Sequence, residues 1–236
     1  MVADCEHCPV PQTIATKTGF LSAPRETSVN RTTTMPQSYF ISPEVFAAEQ
    51  KRIFARNWLL VGHESQIANA GDYMVIEAAG ESLIVIRNSR LEIRAFYNVC
   101  RHRGTRLKED RCGHISAIQC PYHAWTYLLD GRLIGAPHMD EVPGFDKADY
   151  SLRPVNLGIW EGFIFVNLAD SRPLTSILSQ GQRRTKVPGV GYKSLEEWFA
   201  PLAGKFTHWN LPKLRSAKRI EYDVRANWKL IFENYS

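Results

Sequence analysis

The sequence predicts a mainly β fold: a small antiparallel sandwich or barrel with helical segments at both ends. Three observations carry this. Short runs rich in β-branched and aromatic residues recur between positions 59 and 168. Turn residues punctuate them closely, at Ala70-Gly71-Asp72, Ala79-Gly80, Asn88-Ser89 and Asp130-Gly131. Helical patterning with capping residues appears only outside that stretch.

Taken in order, residues 1–38 read as a disordered arm rich in Thr, Ser and Arg. The acids Asp4, Glu6 and Glu26 argue against a transit peptide. A helix is expected over 43–55, inside an N-terminal segment 39–57. Ser42 can cap it, Pro43 fits its first position, and Val45, Phe46, Ile53 and Phe54 give it an apolar stripe. The β domain is placed at 58–170, with strands at 59–61, 73–77, 83–87 and 91–97. Asp130-Gly131 joins 125–129 to 132–134 as a hairpin, and 152–157 pairs with 162–168. A turn at Gly113 and a hairpin over 115–119 are expected between the two metal motifs described below. Residues 171–193 lack a period and read as a linker or insertion. In 194–236 a helix begins with the Ser194/Glu197 capping box and stops at Gly204, 218–225 alternates like a strand, and 227–235 begins another helix.

Composition narrows the function. The chain has 236 residues, 44% hydrophobic, enough for one large or two small cores. No apolar run reaches the ~18 residues of a membrane span, and the first residues lack the charged start and apolar core expected of a secretory signal. The five cysteines are Cys5, Cys8, Cys100, Cys112 and Cys120. An odd count without a signal points away from a disulfide scaffold and toward a reducing compartment, the cytoplasm. The net charge of +5 is mild. It reads as a solvated surface or as a docking face for an acidic redox protein. No basic-aromatic stripe points to nucleic acid.

Cys100-Arg101-His102 and Cys120-Pro121-Tyr122-His123 stand out. Seventeen residues separate His102 from Cys120, so two neighbouring loops can clamp one compact cofactor between them. Thiolates suit iron–sulfur chemistry, and two imidazoles on one iron raise its potential. A structural zinc site of two Cys and two His satisfies the same spacing. Cys112-Gly113-His114 repeats the Cys-x-His form, but only five residues separate His114 from Cys120. Cys5 and Cys8, flanking His7, are a weak metal signal.

The run Asn98-Val99-Cys100-Arg101-His102-Arg103-Gly104, the run Cys120-Pro121-Tyr122-His123-Ala124-Trp125 and the later Asp130-Gly131 resemble the Rieske domain of Rieske non-haem iron oxygenases. The match is to their alpha subunits, aromatic-ring-hydroxylating dioxygenases among them, over about 36–170 and 194–236. One departure is Ala124, where many members have Gly. Respiratory Rieske proteins resemble the chain less: they carry an extra cysteine where this chain has Tyr122, and a membrane anchor. The resemblance favours the cluster over zinc. It implies a Rieske-type antiparallel β-sandwich with flanking helices and the start of an α+β catalytic domain. It also implies a [2Fe–2S] cluster held by Cys100, His102, Cys120 and His123, at a potential of roughly −150 mV. Gly104 is expected to permit a tight backbone at the first loop, and Arg103 to hydrogen-bond carbonyls or acids there.

The family's second centre is a mononuclear Fe(II) on two His and one carboxylate, with open positions for oxygen. The resemblance places those ligands beyond Ser236, and Asn234 near that iron. His63, His114, His138 and His208 offer no substitute. The expectation is therefore an electron-transfer portion that takes electrons from NAD(P)H through a reductase or ferredoxin but does not itself hydroxylate. In the complete family these subunits are monooxygenases or dioxygenases that assemble as trimer-like homo-oligomers. A stand-alone Rieske ferredoxin is the alternative, and the helical segment from 194 onward argues against it. That final helix is expected to expose Trp228, Leu230, Ile231 and Phe232.

Overall fold

The computed structural model of the chain describes residues 34–169 and 193–235. Cys5, His7, Cys8 and the linker call at 171–192 lie outside the described residues. By internal contacts the chain divides into Met1–Met35 and Pro36–Ser236, and every element below belongs to the second unit.

A short helix α1 (Ser38–Ile41) precedes α2 (Pro43–Arg52). Ser42 caps α2, its Oγ accepting from the Val45 N–H at 3.2 Å, with Pro43 at the first turn. The helix ends three residues earlier than the apolar stripe predicts, and Phe54–Arg56 continues as one 3₁₀ turn. Phe46 and Ile53 stay exposed, and the residue α2 buries is Glu49.

Among the described residues, ten strands follow in three antiparallel sheets. The first sheet joins β1 (Leu59–His63), β10 (Phe163–Asn167) and β9 (Asn156–Trp160) in the order β1-β10-β9. The second runs β4-β3-β2-β5, from β2 (Asp72–Ala78), β3 (Glu81–Arg87), β4 (Ile93–Tyr97) and β5 (Cys112–His114). The third is β6 (Ile118–Gln119), β7 (Thr126–Tyr127) and β8 (Leu133–Gly135). Four consecutive residues of β3, Leu83 to Ile86, are fully buried, so the second sheet is covered on both faces. Side-chain alternation divides them between two cores. Ile84 and Ile86 join Phe96, Trp125 and Tyr127 around the two cysteine loops. Leu83 and Val85 join Met74, Ile76, Ile164 and Val166 on the side of the first sheet.

Three local expectations differ from the structure. Gly113 is a strand residue of β5, paired with Tyr73, and no hairpin spans 115–119; β6 pairs with β7 instead. A two-residue strand finds its partner across the cysteine loop because that loop itself is the turn. Residues 218–225 form no ladder. They are tied down by Arg111 Nη1 to Glu221 Oε2 at 2.6 Å, while Ile220, Tyr222 and Val224 face solvent. Alternation supplies a strand-like face, but a strand also needs backbone pairing, and among the described residues 218–225 pairs with no strand.

The capping box of Ser194 and Glu197 forms as expected at α3 (Leu195–Phe199), which continues as a 3₁₀ turn before Gly204. The last helix, α4 (Trp228–Tyr235), exposes Leu230, Ile231 and Phe232. Trp228 is only half-buried and Lys229 is buried, because both reach back to Glu49. Among the described residues no helix is long and apolar enough to cross a membrane.

Candidate metal centre

The two loops that carry the Cys-His motifs are built alike. In the first, the Cys100 N–H donates to the Thr105 carbonyl at 2.8 Å and the Gly104 N–H returns to the Cys100 carbonyl at 3.1 Å. In the second, the Cys120 N–H donates to the Trp125 carbonyl at 2.8 Å and the Ala124 N–H returns to the Cys120 carbonyl at 3.1 Å. The fourth residue after each cysteine is left-handed, Gly104 at φ +75° and Ala124 at φ +56°. That backbone need explains the glycine common at the second position in the family this chain resembles: only Gly enters that region without a Cβ penalty. Nothing lies within 4 Å of a Cβ built on Gly104, so conformation and not space selects it.

Cys100 and Cys120 are buried at 2% and 3% exposure and neither is in a disulfide. The His102 and His123 rings lie 4.7 Å apart, crossing at 70°. Each ring has a buried Nδ1 with no hydrogen-bond partner. Two imidazoles that leave the same nitrogen unpaired inside one pair of loops fit a group that supplies the missing bonds, since an orphaned buried polar atom costs about 1–3 kcal/mol. Among the described residues no three His, Cys, Asp or Glu converge on one ion position. The donor set of two thiols and two imidazoles is the one that a mixed-ligand two-iron group takes.

The surroundings set protonation. Burial pushes the Cys100 thiol above its ordinary range, and the nearby Cys120 adds to this while the Tyr127 hydroxyl opposes it. Burial, with smaller contributions from His123 and Arg103, lowers the proton affinity of His102 and so favours its neutral form. A metal would take the thiol protons, and a neutral imidazole already has the form a metal binds. Tyr127, fully buried, is held well above the ordinary phenol range by burial and by Cys100. Its oxygen accepts the Arg101 N–H at 3.1 Å and lies 3.4 Å from Cys100 Sγ. Either group can donate while Cys100 is a thiol; once Cys100 is a thiolate, only the phenol has a proton to give. Trp125 stacks flat on His102 at 4.8 Å and 8°, and Phe145 and Tyr150 brace it edge-on. Tyr122 is exposed and lies against His123 at 3.7 Å.

Sequence reasoning missed Tyr127, Phe145 and Tyr150. Only Tyr127 left a signal, four residues after His123; the other two arrive through tertiary packing. Arg103, expected to hydrogen-bond nearby groups, is exposed and makes no side-chain hydrogen bond among the described residues. Cys112 and His114 sit exposed on β5, with His114 Nδ1 2.9 Å from Asp72 Oδ1, so the decoy motif is not gathered with Cys120. Asn234 lies on α4, beside an open apolar groove of about 1350 Å³ lined by Phe40, Phe46, Tyr222 and Leu230.

The Rieske [2Fe–2S] domain model matches residues 57–146. The carnitine monooxygenase oxygenase subunit of Escherichia coli (strain K12) is 37% identical over 202 residues, covering 86% of this chain and 49% of that protein. The glycine betaine monooxygenase oxygenase subunit of Chromohalobacter salexigens is 34% identical, covering 85% of this chain and 40% of that protein. For biphenyl 2,3-dioxygenase subunit alpha of Rhodococcus jostii the identity is 32%, with coverage of 75% and 40%. The crystal structure of the quaternary ammonium Rieske monooxygenase CntA with L-carnitine superposes at a TM-score of 0.72 and 34% identity, over 86% of this chain and 52% of that one. The chain thus spans about half the length of the curated relatives it matches. With a Rieske domain, the fold of an oxygenase subunit and relatives that are oxygenase subunits over most of its length, this chain belongs to the Rieske non-haem iron oxygenase alpha subunits.

Proposed function

We propose that Cys100, His102, Cys120 and His123 are the protein ligands of the [2Fe–2S] cluster. Through it the chain passes electrons from a reductase or ferredoxin, and ultimately NAD(P)H, to a mononuclear Fe(II) of an oxygenase. The observation that carries this reading is the matched pair of loops, each burying one thiol and one imidazole whose Nδ1 has no partner in the protein. When bound, such a cluster stores and releases single electrons at a potential set by its mixed ligands and the hydrogen bonds to its sulfurs.

The rest is the work of the chain's own residues. The Cys100 and Cys120 side chains give up their protons on binding. Trp125 fixes the plane of His102, and Tyr127 donates toward Cys100 Sγ while its oxygen holds the Arg101 amide. Burial of both cysteines excludes water from the sulfur side. The His123 side opens toward the surface at Tyr122, and this gives an electron a short way in or out.

For the complete protein, the relatives' names support a quaternary ammonium compound as substrate and a monooxygenase reaction. The inter-subunit electron transfer reported for one solved relative suits an assembly of several subunits, which we read as a trimer-like homo-oligomer. The free thiols favour the reducing cytoplasm.

Purified anaerobically, the chain should hold two irons and two acid-labile sulfides and give a Rieske-type EPR signal when reduced. His102→Ala and His123→Ala should each abolish that signal, whereas Cys112→Ser should keep it. A signal that survives loss of His102 but not of Cys112 overturns the ligand set. NAD(P)H oxidation coupled to carnitine or glycine betaine, with biphenyl as the contrast, tests the substrate class in the complete protein.

A further inference from the structure

His102 is held differently from most metal-binding histidines. Such a ring is ordinarily oriented by a hydrogen bond from its other N–H to a carboxylate or carbonyl. The His102 side chain makes no hydrogen bond among the described residues, and its Nδ1 is buried without a partner. Rings hold it instead. Trp125 lies flat on it, 8° from parallel, and His123 meets it edge-on at 4.7 Å. Trp125 is 1% exposed and serves both loops: its carbonyl closes the second, and its ring covers the imidazole of the first. The plane of His102 is therefore set by the plane of Trp125.

What sets the plane of Trp125 comes from outside both loops. After β8 the chain runs through 136–151 before the Leu152 N–H returns to the Gly131 carbonyl at 2.8 Å. Within that segment the Met139, Val142, Phe145 and Asp149 N–H groups each donate to a carbonyl three residues back. Asp146 Oδ1 accepts the Ala148 N–H at 2.8 Å, and Lys147 pairs with Asp140 at 3.5 Å. These bonds shape the segment without tying it to the cysteine loops. Phe145 and Tyr150 make that tie. Their rings cross Trp125 at 65° and 84°, with centroids at 5.8 and 5.5 Å, and lean on each other at 4.9 Å. An indole with one flat neighbour and two crossed ones cannot turn without losing contacts on several sides. Both side chains pack on the core cluster that holds Cys100 and Cys120. Aliphatic side chains would keep water from that core equally well, so the crossed ring geometry answers a need beyond burial.

We propose that Phe145 and Tyr150 are positioning residues for electron transfer: acting through Trp125, they hold the His102 imidazole in one plane, while the His123 ring is left to exposed Tyr122. A ligand ring that keeps its plane in both oxidation states does not reorganise when an electron arrives, the same preorganisation that fixed groups give a catalytic site. The proposal rests on the ligand reading above and goes beyond it, since neither residue lies on a cysteine loop.

The test is spectroscopic and uses the cluster-loaded full chain reduced with dithionite. Pulsed EPR resolves the nitrogen hyperfine couplings of the two coordinated imidazoles. Phe145→Leu/Tyr150→Leu should shift one of the two sets, broaden it about twofold and leave the other as in the wild type. Trp125→Phe should move the same set. Tyr150→Phe, which keeps the ring and loses only the hydroxyl, should leave both sets unchanged. Val166→Ala opens a cavity in the other core, on β10; it should lower the melting temperature and move neither set. If the paired variant does not assemble a cluster, Phe145→Leu alone should show the same one-sided change at smaller size. Loss of the cluster from that variant as well makes the segment structural and overturns the proposal. Unchanged couplings in the Leu variants overturn it, and so do two sets that move together, the mark of a loosened site and not of one released ring. A wild-type chain without a Rieske signal, or with one that survives His102→Ala, overturns the ligand reading beneath. A chain with that signal but indifferent to Phe145 and Tyr150 overturns the positioning inference alone.

Discussion

Ala124 does a glycine's job. Its φ of +56° puts a Cβ in the left-handed region, which costs roughly 1 kcal/mol against Gly, partly offset by Gly's greater freedom when unfolded. Ala124→Gly should therefore raise stability by about 0.5 kcal/mol, and Gly104→Ala, at φ +75°, should lower it by about 1 kcal/mol. Thermal unfolding of the cluster-loaded chain checks both, and a stabilising Gly104→Ala would remove the conformational reading of these loops. Tyr127 offers the second residue-scale test. Donated to a Cys100 thiolate, its O–H would stabilise the more negative, reduced state of a bound cluster. Tyr127→Phe should assemble the cluster with a midpoint potential lower by about 50 mV, the size of a hydrogen bond to a charged group felt only partly by the difference between the two states. A potential that stays put or rises in redox titration would mean the phenol does not donate to that sulfur.

At the scale of elements, α2 and α4 are joined by a clasp that neither sequence pattern announces. Glu49 accepts from Lys229 Nζ at 2.6 Å and from Trp228 Nε1 at 2.8 Å, with both charged side chains near 10% exposure or below. Asn227 Nδ2 donates to the Phe40 carbonyl, and Trp228 packs edge-on against Phe54. Removing one partner strands a buried charge, so Glu49→Gln or Lys229→Met should destabilise the chain by about 3 kcal/mol, with the double variant less than additive. The hydrogen bond from Lys229, and then that from Trp228, hold the Glu49 carboxyl below its ordinary range. A carboxylate depressed on folding adds stability that is complete above its unfolded pKa and is lost as pH falls through the folded one. The loss should therefore shrink in acid, as equilibrium unfolding against pH would reveal.

For the molecule as a whole, the metal centre is part of the core. Cys100 and Cys120 pack with Ile84, Ile86, Phe96, Trp125 and Tyr127 in one buried cluster of side chains. On the proposed ligand set, removing iron would leave two buried thiols and two imidazole nitrogens without partners. Binding of a ligand to the native state alone stabilises it, so chelation should lower the melting temperature and weaken the near-ultraviolet dichroism of Trp125. An apo chain that melts where the loaded chain does would show that the loops are pre-formed without the metal.

The fold class, most of the strands through 168 (β5, β6 and the start of β9 apart) and the four candidate ligands were legible in the sequence, because each rests on local chemistry. Alternation marks a strand face, Asp130-Gly131 marks a turn, and two short motifs mark where thiol and imidazole meet. What stayed hidden depends on which segments meet. The pairing of β6 with β7, the absent ladder at 218–225 and the bracing of Trp125 by Phe145 and Tyr150 each need a partner distant in the chain. The same holds for the clasp of Glu49 with Lys229, separated by 180 positions. Sequence determines what each side chain can do through its own charge, shape and backbone preference. Tertiary structure alone decides which partner it finds, because burial and the Coulomb and hydrogen-bond terms that follow from it are properties of the surroundings, and only the folded chain supplies them.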